Sequence, residues 1–76
     1  MIRFDGKLLK QAREESGFTL EDLSFRVGVS KQSLSKYELN EAKPGIEVLA
    51  ILAALLNKPI GFFLVRVACG INNDAA

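Results

Sequence analysis

The sequence predicts an all-α fold, in the form of a compact bundle of five short helices. The chain has 76 residues, of which 49% are hydrophobic and 25% charged, so it can form one small core and no second one. Its apolar residues recur at spacings of three and four rather than two, which is the period of a helix. Glycine, asparagine and proline interrupt this pattern at intervals, and each interruption is expected to separate two helices.

The first helix is predicted from Gly6 to Ser16. Asp5 can accept a hydrogen bond at its N-terminus, and Gly17 can adopt the left-handed conformation that ends a helix. The inner face of this helix is predicted to be apolar and to consist of Phe4, Leu8, Leu9 and Ala12.

The second and third helices are predicted to form a helix-turn-helix. They run from Leu20 to Val27 and from Lys31 to Leu39, with Thr19 and Ser30 as N-caps. The link between them begins with Gly28 and is only three residues long, which favours a sharp turn over an antiparallel hairpin. A small core can form between the two helices from Leu23, Val27, Val29, Leu34 and Tyr37.

The fourth helix is predicted from Ile46 to Leu56, and a short fifth helix from Ile60 to Leu64. The most apolar stretch, 48–56, has nine residues. A membrane helix needs about 20 residues, so this stretch is interpreted as a core helix. Residues 1–68 are predicted to form one domain, and residues 69–76 a flexible tail.

The composition excludes several classes of site. The chain has no histidine and a single cysteine, Cys69. This excludes a histidine-based catalytic triad, a histidine-ligated metal centre, a classical zinc finger and an internal disulfide. We therefore predict no metal, no cofactor and no enzymatic activity. No signal peptide is visible, and the protein is expected in the cytoplasm without membrane association.

The third helix leaves a polar face available for function. Its members are Lys31, Gln32, Ser35 and Lys36, none of which is acidic. Glutamine can form two hydrogen bonds to adenine, and lysine can donate to guanine or to phosphate. The helix N-terminus at Ser30 can bind a phosphate through free backbone N–H groups. This face is either a DNA-binding surface or an ordinary solvated helix surface.

Six segments stand in register along the chain. They are Leu9…Ala12-Arg13…Gly17-Phe18-Thr19, Leu23…Val27-Gly28-Val29-Ser30, Ser33-Leu34-Ser35-Lys36-Tyr37-Glu38, Lys43-Pro44, Leu49…Leu52-Ala53…Leu56-Asn57 and Pro59…Phe62-Phe63. The series, from Gly6 to Leu64, resembles the Cro/repressor (XRE-type) family of phage-repressor-like helix-turn-helix domains. The resemblance implies a lambda-repressor-like domain that binds double-stranded DNA as a homodimer, with the third helix in the major groove. It also implies a transcriptional regulator, most often a repressor.

The resemblance assigns roles to individual residues. Base contacts fall on Lys31, Gln32 and Lys36, with Ser35 on the same face. Phosphate contacts fall on Ser30, Lys43 and Thr19. Arg13 and Glu38 match a pair that bridges the first and third helices. Such a pair would neutralise an acidic residue on a helix that approaches DNA.

Three residues depart from the family pattern. Leu20 stands where the family usually has a glutamine that touches a phosphate, so this contact is lost or replaced. Asn40 stands where the family often has glycine, and asparagine is compatible because it enters the left-handed region. Phe25 stands at a position that is usually polar.

The weak net charge indicates that one copy binds DNA poorly. The formal net charge is +1 and the pI is about 7.9, whereas DNA-binding domains often have a pI above about 9. A homodimer would double the phosphate contacts and define the spacing of two half-sites.

Apolar residues on the last two predicted helices support an alternative function. The predicted patch consists of Ile51, Leu55, Phe62 and Leu64, and such patches often mark a partner surface. The patch could hold a dimer together, bind a protein partner as an antitoxin or adaptor does, or contact a fused C-terminal domain. DNA binding and partner binding do not exclude one another.

Overall fold

The structure, a computed structural model, describes residues 2–66. The chain begins with strand β1 (Ile2–Phe4) and continues with four helices, α1 (Gly6–Glu15), α2 (Leu20–Val27), α3 (Lys31–Glu38) and α4 (Ile46–Leu55). A 3₁₀ helix (Ile60–Phe63) and strand β2 (Leu64–Arg66) follow. The predicted domain boundary at residue 68 and the predicted tail, residues 69–76, lie outside the described residues.

Local signals fix the limits of the first three α-helices. The side chains of Asp5, Thr19 and Ser30 each accept a hydrogen bond from a backbone N–H in the first turn of the helix that follows. These bonds satisfy N–H groups that have no partner within the helix. Gly17 and Gly28 follow α1 and α2 with φ angles of +79° and +89°, a conformation that glycine adopts without steric cost.

The prediction of a fifth α-helix is wrong. Residues Ile60–Phe63 form a single 3₁₀ turn, and Leu64, which was assigned to this helix, lies in β2. The preceding Pro59 is extended and supplies no backbone N–H donor. The chain then leaves the turn after four residues because the next segment pairs with the N-terminal strand. The described residues thus contain four α-helices and a small sheet.

The two strands were not predicted from the sequence. They are antiparallel, and the register pairs Ile2, Arg3 and Phe4 with Arg66, Val65 and Leu64, in that order. Strands of three residues are too short for an alternating pattern to stand out. Phe4, predicted on the inner face of the first helix, reaches the core from β1 instead.

The core lies between the helices and the 3₁₀ turn. Its largest fully buried side chains are Leu9, Leu23, Leu34, Leu52 and Phe63. The start of α1 is pressed against the end of α3, since a Cβ atom on Gly6 would overlap the carbonyl oxygens of Tyr37 and Glu38. One side of α3 is therefore packed and the other is free.

Over residues 2–66, no helix has the length and apolar character needed to cross a bilayer.

Candidate nucleic-acid interface

The predicted helix-turn-helix is confirmed. Gly28 takes a left-handed conformation, and its N–H donates to the carbonyl of Ser24 at 2.9 Å. Ser24 is buried, and its Oγ donates to the carbonyl of Glu21 within α2 at 2.9 Å. Val29 is half-buried against the core, and Ser30 begins α3 immediately afterwards. The turn consequently holds α3 at a fixed angle across α2.

The two sides of α3 have different environments. Leu34 is fully buried, and Glu38 is 8% exposed. The four predicted base-contacting residues lie on the other side, where Lys31, Gln32 and Lys36 are exposed and Ser35 is half-buried. Three long polar side chains and a hydroxyl therefore project from one short helix, with no carboxylate among them.

A cleft lies at the N-terminal ends of α2 and α3. It has a volume of about 390 Å³ and brings Thr19 and Lys31 together, with Leu20 and Glu21 also in its lining. Leu20 is half-buried and packs on the core, so it offers no hydrogen bond in place of the glutamine usual at this position. Thr19 is an exposed residue in this lining, and its Oγ1 accepts a hydrogen bond from the Asp22 N–H at 3.0 Å.

Ser30 uses its hydroxyl within α3. Its Oγ accepts a hydrogen bond from the Ser33 N–H at 3.0 Å and donates to the Ser33 Oγ at 2.9 Å. Backbone N–H groups of the first turn, rather than the Ser30 hydroxyl, are therefore the donors that the start of the helix offers to an anion.

Arg13 and Glu38 form a buried ion pair between α1 and α3. The Arg13 Nε donates to Glu38 Oε2 at 2.6 Å, and its second terminal nitrogen donates to Oε1 at 3.3 Å. The remaining terminal nitrogen donates to the carbonyl of Phe18 at 2.9 Å. The side chains are only 11% and 6% exposed. The carboxylate on α3 is thus neutralised inside the protein.

Lys43 lies at the opposite end of α3, in the loop before α4. It is exposed and lines a small cavity with Arg3 and Asn40. Sequence reasoning did not assign Arg3 to the site. The residue reaches this position because β1 pairs with β2, and that pairing left no signal in the sequence.

The predicted apolar patch is only partly exposed. Ile51 is 41% exposed, whereas Leu55, Phe62 and Leu64 are half-buried and pack against the core. Ile46, which is not a member of the predicted patch, is 71% exposed on α4. Exposed apolar side chains are therefore found on α4 and, at Ile60 (37% exposed), on the 3₁₀ helix. Among residues 2–66, no three potential metal ligands cluster.

Comparison with known families identifies the domain. A family model described as "Helix-turn-helix" matches residues 9–63 of the chain. The chain belongs to this helix-turn-helix family. It is of the Cro/repressor type that the six sequence segments indicated. The two curated relatives described next are both named as HTH-type transcriptional regulators.

Three relatives show how far the similarity extends. A candidate HTH-type transcriptional regulatory protein of Pyrococcus horikoshii is 37% identical over 59 residues, which are 78% of this chain and 19% of that protein. The HTH-type transcriptional regulator SutR of Escherichia coli is 38% identical over 64 residues, 84% of this chain and 36% of SutR. The chain thus spans about a fifth to a third of the length of these relatives.

The third relative is SinR of Bacillus subtilis. Its structure in complex with DNA matches with a TM-score of 0.70 and 34% identity, over 75% of this chain and 95% of that one. SinR has also been solved in a complex with the SinI protein, with a TM-score of 0.71 and 34% identity over 76% of this chain and 57% of that one.

Proposed function

We propose that the chain is a sequence-specific DNA-binding transcriptional regulator that inserts α3 into the major groove. The observation that carries this proposal is the asymmetry of α3. Its outer side presents Lys31, Gln32 and Lys36 to solvent, while its single acidic residue, Glu38, is buried in an ion pair. A helix with such a surface can approach DNA without bringing an unpaired negative charge with it.

The residues divide between two kinds of contact. The side chains of Lys31, Gln32, Ser35 and Lys36 read base edges. Thr19, Lys43 and the backbone N–H groups next to Ser30 hold phosphates on either side. Phosphate contacts orient the protein on the duplex, and base contacts supply the sequence preference. The DNA complex of SinR supports the docking of this type of domain on duplex DNA.

We further propose a homodimer that acts as a repressor. A net charge of +1 gives one copy little electrostatic attraction to DNA, and a second copy doubles the contacts. Ile51, which is 41% exposed on α4, offers an apolar contact for the second copy. A repressor of this kind needs no additional protein-binding surface, because a dimer bound to its operator keeps other proteins off that stretch of DNA.

The first test is binding to an unbiased pool of DNA. The chain, at about 100 mM salt where phosphate contacts still contribute, is used to select duplexes from a random pool, and an enriched duplex is then titrated. Wild type should enrich an inverted repeat with half-sites about one helical turn apart. The double variant Gln32→Ala/Lys36→Ala should lose most of its affinity for that duplex.

The matched control removes the same side-chain types from α1. Lys10→Ala/Gln11→Ala deletes one exposed lysine and one exposed glutamine, so both double variants have the same net charge. The control should bind far more tightly than the α3 variant. Equal losses in the two variants would mean that α3 contributes only its charge, and no enrichment by wild type would refute DNA recognition by this chain.

The second candidate function is a protein-interaction module, an antitoxin or an adaptor, that uses the apolar surface of α4. The exposure of Ile46 and Ile51 favours it, and the SinR–SinI complex provides a precedent among relatives. Ile51→Glu should shift sedimentation equilibrium towards monomer if α4 forms the homodimer. Phe25→Glu, which places the same charge at an 87% exposed site on α2, is the control and should leave the association state unchanged.

If wild type is monomeric at all concentrations, the homodimer proposal fails. The α4 surface would then be available to a different protein, and partner capture that is lost in Ile51→Glu but kept in Phe25→Glu would support this second function.

A further inference from the structure

A small cationic cavity lies at the C-terminal end of α3. Its volume is about 150 Å³, and it is lined by Arg3, Phe4, Asn40, Ala42 and Lys43. Arg3 and Lys43 are exposed, and neither forms an ion pair with any residue in the range 2–66. No carboxylate lines the cavity. Two cations therefore face one small space without a described partner of opposite charge.

Asn40 brings a side-chain amide to the lining of this cavity. It follows α3 with a φ angle of +62°, and its Oδ1 accepts a hydrogen bond from the Gly6 N–H at 2.8 Å. Because a backbone N–H can only donate, the oxygen of the side-chain amide must face Gly6. The Nδ2 group, a donor of two hydrogen bonds, has no hydrogen-bond partner among the described residues, and Asn40 lines both this cavity and a neighbouring one beside α1.

We propose that Arg3, Asn40 and Lys43 together bind one phosphate of the DNA backbone. This inference rests on the proposed function, and it adds Arg3 and Asn40 to the predicted contact of Lys43. A guanidinium, an ammonium and an amide N–H are the groups that bind phosphate oxygens in proteins. The N-terminal strand thereby becomes part of the DNA interface.

The length of α3 separates the Arg3–Asn40–Lys43 cavity from the cleft at the other end of the helix by about the width of the major groove. The helix has eight residues and is therefore about 12 Å long, which is close to the roughly 12 Å width of the major groove. The cleft containing Thr19 and Lys31 lies at one end of α3, and the Arg3–Asn40–Lys43 cavity lies at the other. When α3 is in the groove, the two ends reach phosphates of the two opposite strands.

The salt dependence of DNA binding tests the role of Arg3. Each phosphate contact contributes about 0.9 to the slope of log K against log salt, so Arg3→Ala should lower that slope by about 0.9 for each bound copy. The loss should be similar on the selected duplex and on unrelated DNA, because phosphate contacts carry no sequence information.

Arg66→Ala provides the matched control for Arg3. Arg66 is also an exposed arginine of the same two-stranded sheet, but it lies on β2 and does not line the cavity. Its substitution should leave the slope unchanged. Equal slopes for Arg3→Ala and wild type, or equal losses in both arginine variants, would overturn the proposal.

A second pair of variants tests Asn40. Asn40→Asp keeps the oxygen that accepts from Gly6 but replaces the Nδ2 donor by an oxygen that repels phosphate. Asn57→Asp is its control, since Asn57 also has a positive φ, of +57°, and receives the same charge at the end of α4. Asn40→Asp should weaken DNA binding about tenfold more than Asn57→Asp, the cost expected when a charge-assisted hydrogen bond is lost. Equal effects would overturn the assignment of Asn40.

The experiments distinguish failure of the additional phosphate site from failure of DNA binding as a whole. If wild type enriches no DNA, the proposed function fails as a whole. If wild type binds and Arg3→Ala has an unchanged slope, only the additional phosphate site fails. A saturable shift of the Asn40 side-chain amide resonance with inorganic phosphate, combined with an unchanged DNA slope in Arg3→Ala, would assign the cavity to free phosphate instead.

Discussion

Glu38→Ala should remove a large part of the stability of this domain. The Glu38 carboxylate is 6% exposed and accepts two of the three hydrogen bonds that Arg13 donates. The variant leaves a buried guanidinium with only the Phe18 carbonyl as an acceptor. Loss of one partner of a buried ion pair typically costs about 3–5 kcal/mol. A domain of 76 residues has a total free energy of unfolding of about 4–11 kcal/mol.

Urea unfolding, followed by far-ultraviolet circular dichroism, measures this loss. Glu15→Ala is the control, because Glu15 lies 3.8 Å from Lys58 in an exposed pair whose loss should cost at most about 1 kcal/mol. If Glu38→Ala is too unstable to titrate, Arg13→Met/Glu38→Leu replaces both charges by apolar groups and should recover most of the stability. A loss in Glu38→Ala no larger than that in Glu15→Ala would show that the buried Arg13–Glu38 pair adds no more stability than an exposed one.

Three further predictions concern single positions. Gly6→Ala should lower the free energy of unfolding by about 1–3 kcal/mol, because its Cβ would meet backbone carbonyls of α3 that cannot move aside. The control is Gly45→Ala, whose Cβ would meet nothing within 4 Å. In the same urea titration, its free energy of unfolding should stay within about 1 kcal/mol of wild type. Ser30→Ala removes the N-cap of α3 and should lower the melting temperature by about 4–8 °C, the equivalent of about 1 kcal/mol, whereas an unchanged temperature would show that the cap adds no stability. Phe25→Ser, at an 87% exposed position, should change the free energy of unfolding by less than about 0.5 kcal/mol, and a larger loss would indicate that the ring packs against the protein in solution.

The α-helices could be predicted because their signals are local. Capping residues such as Asp5, Thr19 and Ser30 stand directly before the helices that they begin, and the glycine after α2 marks the turn. The two strands have no such signal. Phe4 and Leu64 are at opposite ends of the described chain, and only the folded core brings them together. The same pairing ended the predicted fifth helix after one 3₁₀ turn.

The candidate site also has a part that local sequence signals predict and a part that depends on tertiary structure. The exposed face of α3 follows from helical periodicity, since Leu34 and Glu38 point inwards four residues apart. The contribution of Arg3 depends on the position of β1 and was therefore missed. The exposure of Phe62 and Leu64 was overestimated, because the extent to which α4 and the short sheet cover these side chains depends on tertiary packing rather than on composition.

In the proposed complex, α3 reads base edges while the loop after it binds phosphate. Repeating the duplex selection with Gln32→Ala and with Lys43→Ala tests this division directly. Gln32→Ala should relax the preference at particular positions of each half-site, whereas Lys43→Ala should weaken binding uniformly and leave the selected sequence unchanged. If Gln32→Ala recovers the wild-type sequence preference at undiminished strength, the Gln32 side chain does not read a base edge.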